Sequence, residues 1–356
     1  LTQPIPDHAA AMALVGKALV DPAHGILDDL TQIEGVGHRV VHGGEQFSAS
    51  VVIEPEVLAA IEQASELAPL HNPPNLTGIH EAERLLPGVP QVAVFDTAFH
   101  QTMPPAAYLY GLPHEFYDKM RIRRYGFHGT SHRFVSARAA QLLKRDVQDL
   151  NQITCHLGNG ASLTAIEGGK SVDTSMGFTP LEGVMMGTRC GDIDPAILPY
   201  LEERGYTAKQ LNTIMNKKSG LLGLSGISND MRDLEAAADK GDARAQETLE
   251  VYAHKVRKYI GAYSANLVTV DALVFTGGIG QHGVQMRERI CHNLEHMGIV
   301  MDYEQNRKVG RKEGVVSARY SQTAILVIPT NEELQIAMDV FGLIGTTASW
   351  KKWDRP

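Results

Sequence analysis

The sequence predicts an α/β protein made of two sheet-and-helix blocks. Short apolar runs of strand length alternate with stretches that carry apolar residues at helical spacing. The pattern restarts at Ile153, after a first round that ends near residue 150. Several strand ends carry a glycine turn or an acid, the places where open α/β sheets hold ligands.

The elements follow in order. Residues 8–21 carry Ala, Met, Leu and Val at helical spacing behind Asp7, a preferred cap residue. Residues 33–41 read as a strand that runs into His42-Gly43-Gly44-Glu45, and 55–67 as a helix. The prolines of Leu70-His-Asn-Pro-Pro-Asn75 predict an irregular stretch, because proline lacks a donor and biases its predecessor away from helix. A helix is then expected over 76–86 and a buried strand over 91–95, with Asp96-Thr-Ala-Phe-His100 at its C-terminal end. The basic run 121–124 reads as a solvated face, and 134–143 as an amphipathic helix.

Ile153 opens a strand that breaks at Gly158-Asn159-Gly160. A second strand at 163–166 and a Gly168-Gly169 hairpin follow. A strand ending in a glycine turn presents bare N–H groups that suit phosphate oxygens, although a plain hairpin has the same pattern. Residues 173–180 read as loop and 182–186 as a short helix. Helices are expected over 193–203, 209–216, 233–239 and 243–267, with a glycine-interrupted loop at 219–226. Residues 271–275 are a strand ending in the glycine turn Thr276-Gly-Gly-Ile-Gly280, and a helix opens near 284. The last strand is 324–328, and Thr330-Asn-Glu-Glu333 caps a helix over 334–343. The polar tail with Trp350 and Trp353 reads as peripheral.

Composition narrows the function. At 356 residues the chain is long enough for two cores, and 43% hydrophobic with 21% charged residues is ordinary for a globular protein. A net charge of −8 argues against a nucleic-acid partner. Cys155, Cys190 and Cys291 form no CxxC, so a reducing cytoplasm is the expected setting. No run is long enough to span a bilayer, and no signal peptide is evident. The chain opens on Leu1 rather than Met, so it is expected to begin inside a longer protein.

No GxxxxGK[ST] occurs, and Gly277-Gly278-Ile279-Gly280 lacks the spacing of a dinucleotide fingerprint. Repeated glycine turns at strand ends fit a nucleotide held by backbone. His38/His42 and His128/His132 are spaced i, i+4, but neither pair sits in an expected helix, which disfavours a zinc site. Arg189 lies in the glycine-flanked Met186-Gly-Thr-Arg-Cys-Gly-Asp192, where a guanidinium can make a bidentate contact to phosphate or carboxylate; a surface arginine is the plainer reading. Together with Arg39, Asp96 and the histidines it suggests a nucleotide triphosphate, Mg²⁺ and a small anionic acceptor.

Long words carry a resemblance: GHRVVHGGE (37–45), APLHNPPNL (68–76), VAVFDTAFHQTMP (92–104), YGFHGTSH (125–132), CHLGNGAS (155–162), DTSMGFTPLEGVMMGTRCGDIDP (173–195), SGLLGLSG (219–226), VFTGGIG (274–280) and IPTNEEL (328–334). In this order they make the sequence resemble the acetate kinase (acetokinase) family, within the superfamily of acetate and sugar kinases, heat-shock chaperones and actin. The resemblance implies two RNase H-like (actin-like ATPase) domains with an active-site cleft between them. Residues 1–149 with 331–356 would form the acetate and metal side, and 150–330 the nucleotide-binding domain. The implied reaction is reversible phosphoryl transfer between ATP and acetate, giving acetyl phosphate and ADP, with Mg²⁺ (or Mn²⁺) bound by Glu332. Asp96, His128 and Arg189 would be catalytic. Arg39 would hold the acetate carboxylate, and Val41, Leu70, Phe127 and Pro180 its methyl group. His156, Leu157, Gly158, Asn159 and Gly160 would meet the phosphates. Asp230, Met231, Arg232, Gly278, Ile279, Gly280, Gln281 and His282 would hold the adenosine. A cytoplasmic homodimer is implied, with closure around ATP to exclude water.

Physics questions one of these roles. Acetate is already ionised near neutral pH, so Asp96 has no proton to remove; it is expected to orient Arg39, Arg189 or the metal shell. Two departures from the family stand out. Its opening Asn-x-Gly-Ser-Ser-Ser-x-Lys strand has no counterpart before Gly37, so that segment is expected to lie outside this sequence. Gln281-His282 replaces the usual Glu-Asn. Propionate or butyrate kinase is the close alternative. A nucleotide switch of the same fold is disfavoured by Arg39, His128 and Arg189 together.

Overall fold

The computed structural model describes residues 5–68 and 71–345. Leu70 and the tail with Trp350 and Trp353 therefore lie outside the described residues. By their contacts the described residues form two compact units, one up to Gln101 and from Asn331 onward, the other Thr102–Thr330.

In the first unit, β1 (Val36–Val40), β2 (Val51–Val52) and β3 (Gln91–Phe95) make a sheet in the order β1-β3-β2. β1 runs parallel to β3, with Arg39 opposite Val94 and Val40 opposite Phe95. The helices Pro55–Gln63 and Asn72–Leu85 pack together, and Ile61, Ile79, Val40, Ala93 and Phe95 form one core. The helix Glu332–Ile344 closes on the sheet through Val340 and Ile336, against Val92 and Val94. Side chains alternate along a strand, so Gly35, Gly37 and Arg39 share a face. A Cβ on Gly37 would stand 2.3 Å from Ile336 Cγ2, and one on Gly35 would stand 2.4 Å from Ile344 Cδ1. The two glycines thus let the 332–344 helix lie close and put Arg39 on the face where that helix begins.

The 72–85 helix corrects one expectation. The sequence predicts irregular chain over 70–75, but helix starts at Asn72 and takes Pro73 and Pro74 into its first turn. First-turn N–H groups have no intrahelical partner, so proline costs nothing there.

In the second unit, six strands run in the order β6-β5-β4-β7-β9-β8. They are β4 (Asn151–Leu157), β5 (Ala161–Glu167), β6 (Lys170–Thr174), β7 (Ala272–Thr276), β8 (Gly314–Val315) and β9 (Ala324–Val327). β4, β7 and β9 are parallel, and the remaining pairs antiparallel. The helix Gly129–Leu143 packs on β4 and β7, and the long helix Ala243–Asn266 on β4 and β5. β4 carries Gln152, Thr154 and His156 on one face, each bonded to the 129–143 helix, at Ser136, His132 and Ser131.

Four further expectations fail here. Residues 182–186 are not helical: Gly183 has φ +108°, and its backbone exchanges hydrogen bonds with Asp192. Residues 219–226 are not a loop but hold the short helix Gly220–Ser225, ended by Gly226 in the left-handed region. Residues 276–280 are not a plain turn, since Gly277–His282 is already helical. The basic run is not a solvated face: Arg123 is buried with its guanidinium 3.7 Å from the Tyr108 ring centre, and Arg124 pairs with Glu182.

Candidate active site

In the first unit the functional side chains gather at the ends of β1 and β3. Asp96 leaves β3 with its side chain 1% exposed, while Arg39 is 44% exposed. The pair is bidentate: Arg39 Nε donates to Asp96 Oδ1 at 3.1 Å and Nη2 donates to Oδ2. Burial works against the Arg39 charge, but Asp96 and then Glu332 outweigh it and hold the guanidinium more basic than usual. Asp96 thus orients Arg39, one of the roles expected of it. Val41 is buried, and its N–H donates to Asn75 Oδ1 at 3.1 Å. Asn72 Oδ1 receives the His42 N–H at 3.1 Å, while its amide donates to the carbonyls of His42 and Ile61. Asn72 and Asn75 therefore pin the exit of β1. Sequence reasoning gave them no role, and the signal was two amides flanking two prolines.

In the second unit the 129–143 helix begins at a residue in the left-handed region, His128 with φ +57°. A non-glycine residue there is strained by about 1–2 kcal/mol. The turn aims the ring at the β4–β5 hairpin. His128 and His156 stack with centroids 4.3 Å apart. Two charged rings at that distance would repel by about 4 kcal/mol at an effective dielectric near 20, so the stack favours at most one charge. A Cβ placed on Gly160 would meet His128 Nε2 at 3.3 Å and Arg189 Nη1 at 3.6 Å. Two side-chain nitrogens thus converge over a glycine that leaves the space open.

Arg189 is half-buried, and Nη1 donates to the Pro180 carbonyl at 2.9 Å. Among the described residues it has no carboxylate partner. Burial alone pulls its basicity down. Its loop is held from behind by Glu182, which receives Arg124 Nη2 at 2.6 Å and the Tyr110 hydroxyl. Arg124 Nη1 also donates to the carbonyls of Thr174, Ser175 and Met176. A Cβ on Gly177 would strike Glu182 Oε2 at 1.7 Å, so only glycine fits beside this clamp. Asn159 ties the hairpin to the same loop: its carbonyl receives the Gly187 N–H at 3.0 Å, and its Oδ1 receives the Asn229 amide at 3.0 Å.

Beyond the hairpin opens a cavity of about 560 Å³, within the usual size range for a small-molecule site. Gly158, Asn159, Asp230, Met231, Arg232, Gly278, Ile279 and His282 line it. Asn229, Glu235, Gly283 and Arg311 also line it and were not foreseen. Asp230 caps the helix Met231–Asp239, and its bonds from Arg232 hold its carboxyl down at about 2. His156, Leu157, Gly160, Gly280 and Gln281 are not among the lining residues. Leu157 and Gly280 are buried, and the Gln281 amide donates to the Arg311 carbonyl at 3.0 Å. Phe127 is buried in this unit and Pro180 half-buried.

No group of three or more His, Cys, Asp or Glu is poised for a metal among the described residues. Besides Asp96, Glu332 acts on Arg39; it is the first residue of its helix. A carboxylate there fits a hard cation such as Mg²⁺, which takes one or two protein oxygens and fills its shell with water and phosphate. No described helix is long and apolar enough to cross a membrane.

Comparison with known proteins places the chain in a family. The acetokinase family model matches residues 1–338. An acetate kinase of Desulfitobacterium hafniense is 56% identical over 97% of this chain and 86% of its own length. The crystal structure of Porphyromonas gingivalis acetate kinase superposes with a TM-score of 0.93 at 48% identity, over 97% of this chain and 86% of that one. A propionate kinase from Francisella tularensis superposes less closely, with a TM-score of 0.88 at 44% identity over 94% and 84%.

Proposed function

The chain belongs to the acetokinase family and is a phosphotransferase working between ATP and acetate, and we propose that it passes the γ-phosphoryl group directly and in line to the acetate carboxylate. The observation that carries the mechanism is the convergence of His128 Nε2 and Arg189 Nη1 over Gly160. Phosphoryl transfer runs through a loose transition state, so catalysis is mainly positioning and charge stabilisation. Two donors fixed around an open backbone position supply both. His128 donates to an equatorial oxygen of the moving group, and the Arg189 guanidinium takes up the charge that spreads over it.

Arg39 holds the acetate carboxylate. Asp96 receives both inner donors of Arg39 and so fixes the plane that the remaining N–H groups present. Asp96 is a positioning residue in this scheme and moves no proton. The family resemblance assigns the methyl group to Val41, Leu70, Phe127 and Pro180. Asp230, Arg232 and His282 hold the adenosine, and the hairpin from Gly158 to Gly160 takes the phosphates. Glu332 holds Mg²⁺, with Mn²⁺ as a substitute; when bound, the ion neutralises charge on the phosphates. The enzyme works as a cytoplasmic homodimer.

A coupled assay of ADP formation with acetate, propionate and butyrate tests the reading. Turnover is expected to be highest with acetate and lower with each added methylene, at about 1–3 kcal/mol apiece. Absence of turnover with every acid would sink it, and a preference for propionate would move it to the neighbouring activity.

A further inference from the structure

The hydroxyl of Ser162 lies between two imidazoles, 2.8 Å from His128 Nδ1 and 2.8 Å from His132 Nε2. A hydroxyl has one proton to give and lone pairs to receive. When it bridges two neutral rings, Ser162 donates to one and accepts from the other, so the tautomers of His128 and His132 are coupled. The chain goes one step further, since His132 Nδ1 lies 2.7 Å from Thr154 Oγ1. Thr154, His132 and Ser162 are all fully buried, so water does not scramble the order of these bonds.

The fold explains the alignment. Ser162 on β5 stands opposite His156 on β4, and Thr154 lies two residues back on the same face. His132 sits one helical turn after His128, so both rings meet that face together.

The protons can run in two directions. In one, the Thr154 hydroxyl donates to His132 Nδ1, His132 Nε2–H donates to Ser162, and Ser162 donates to His128 Nδ1. His128 then carries its proton on Nε2, the atom that faces Gly160. In the other, every bond is reversed and His128 offers a bare lone pair there. A lone pair repels a phosphoryl oxygen, whereas an N–H stabilises it. We infer that Thr154, His132 and Ser162 are a positioning relay that locks His128 into its Nε2–H tautomer for phosphoryl transfer. The inference rests on the phosphotransferase role of His128; the direction of the relay is a property of the resting protein.

The test uses the full chain with ¹⁵N-labelled histidine. Long-range ¹⁵N–¹H spectra, assigned with a His128→Gln variant, read which ring nitrogen of His128 bears the proton. The wild type is expected to show Nε2–H. In Ser162→Ala the Nδ1 atom loses its donor, so the spectrum is expected to shift toward a tautomer mixture. Its kcat should fall by about 10–100-fold, the usual cost of losing a partner that orients an imidazole. KM for ATP and for acetate should stay within about three-fold, because ground-state binding is untouched. Thr154→Val, one link further out, should lower kcat less.

Ser136→Ala controls for simple loss of packing. Ser136 is buried between the same helix and strand, where its hydroxyl receives the Gln152 amide at 3.0 Å. It should leave kcat and the His128 spectrum unchanged. An Nδ1–H tautomer in the wild type would overturn the relay. So would a Ser162→Ala protein that loses activity and melting temperature while its His128 spectrum stays the same. Should Ser162→Ala fail to fold, the wild-type and Thr154→Val spectra decide. A wild-type chain without phosphoryl transfer would instead remove the kinase role, leaving the spectra to decide the relay separately.

Discussion

Arg39 and Arg189 sit in opposite electrostatic settings. Arg39, in the first unit, is held by the buried carboxylate of Asp96 and lies in the field of Glu332. Arg189, in the second, is half-buried, bonds a carbonyl and has no carboxylate partner among the described residues. A neutralised arginine binds an anion by shape and hydrogen bonds. An uncompensated one pulls on charge itself, because burial has stripped part of its water and no carboxylate balances its charge. The first setting suits a singly charged acceptor that must enter and leave. The second suits the moving phosphoryl, whose charge must be stabilised at the moment of transfer.

The largest expected effect follows from Arg189. Arg189→Ala should lower kcat by about 100- to 1,000-fold, as removal of one transition-state donor does, with KM for acetate little changed. Its melting temperature should hold or rise, since an unpaired half-buried charge is gone. A large rise in KM for acetate with kcat intact would reverse the roles assigned to the two arginines.

Next in size is the metal. Chelation should abolish turnover, and Glu332→Gln should raise the Mg²⁺ needed for half-maximal rate by about 10–100-fold. An unchanged Mg²⁺ titration would remove Glu332 from the metal.

Asp96→Asn separates orientation from chemistry. Asparagine keeps the shape but drops the charge and one acceptor that Arg39 uses. KM for acetate should rise about ten-fold, as a charge-assisted bond of about 1.5–3 kcal/mol is weakened. The Mg²⁺ titration should not move. Near-full rate with unaltered KM would show that Arg39 needs no orienting partner, and a changed Mg²⁺ requirement would place Asp96 in the metal shell.

Sequence and structure divide the explanation of these sites unevenly. Strand periodicity located β3, β4, β5 and β7, so Asp96 and the Gly158–Gly160 hairpin were legible as strand ends. Periodicity says nothing of partners far along the chain. Arg124 looked like surface because it sits in a basic run, yet its partner Glu182 is 58 residues away. Residues 182–186 looked helical by composition, but a tertiary bond from Gly183 to Asp192 and a positive φ override that propensity. Pro73 and Pro74 predict a break in the helix, yet they mark its start. Ser162 carried no sequence signal, since its meaning comes from two rings that β-register and helix phase bring together.

The smallest expected effect tests whether the setting of Arg189 is built by the clamp behind it. Glu182 receives Arg124 and Tyr110, and Tyr110 in turn receives the Phe178 N–H at 2.8 Å. Burial and Glu182 together hold the Tyr110 hydroxyl firmly protonated. The clamp therefore fixes the chain between Phe178 and Gly183, and with it the Pro180 carbonyl that Arg189 grips. Glu182→Gln keeps the volume and removes the charge. Arg124 then stays buried with weaker compensation, so stability should drop by about 1–3 kcal/mol, read as a lower melting temperature. Displacement of the Arg189 loop should cost about three- to ten-fold in kcat, because small errors of placement are felt in the transition state. KM for ATP should hold, since the cavity walls around Asp230 and Gly278 are carried by other elements. A melting temperature that falls while kcat stays intact would mean that the loop is set from its other side, through Asn159 and the Gly187 N–H.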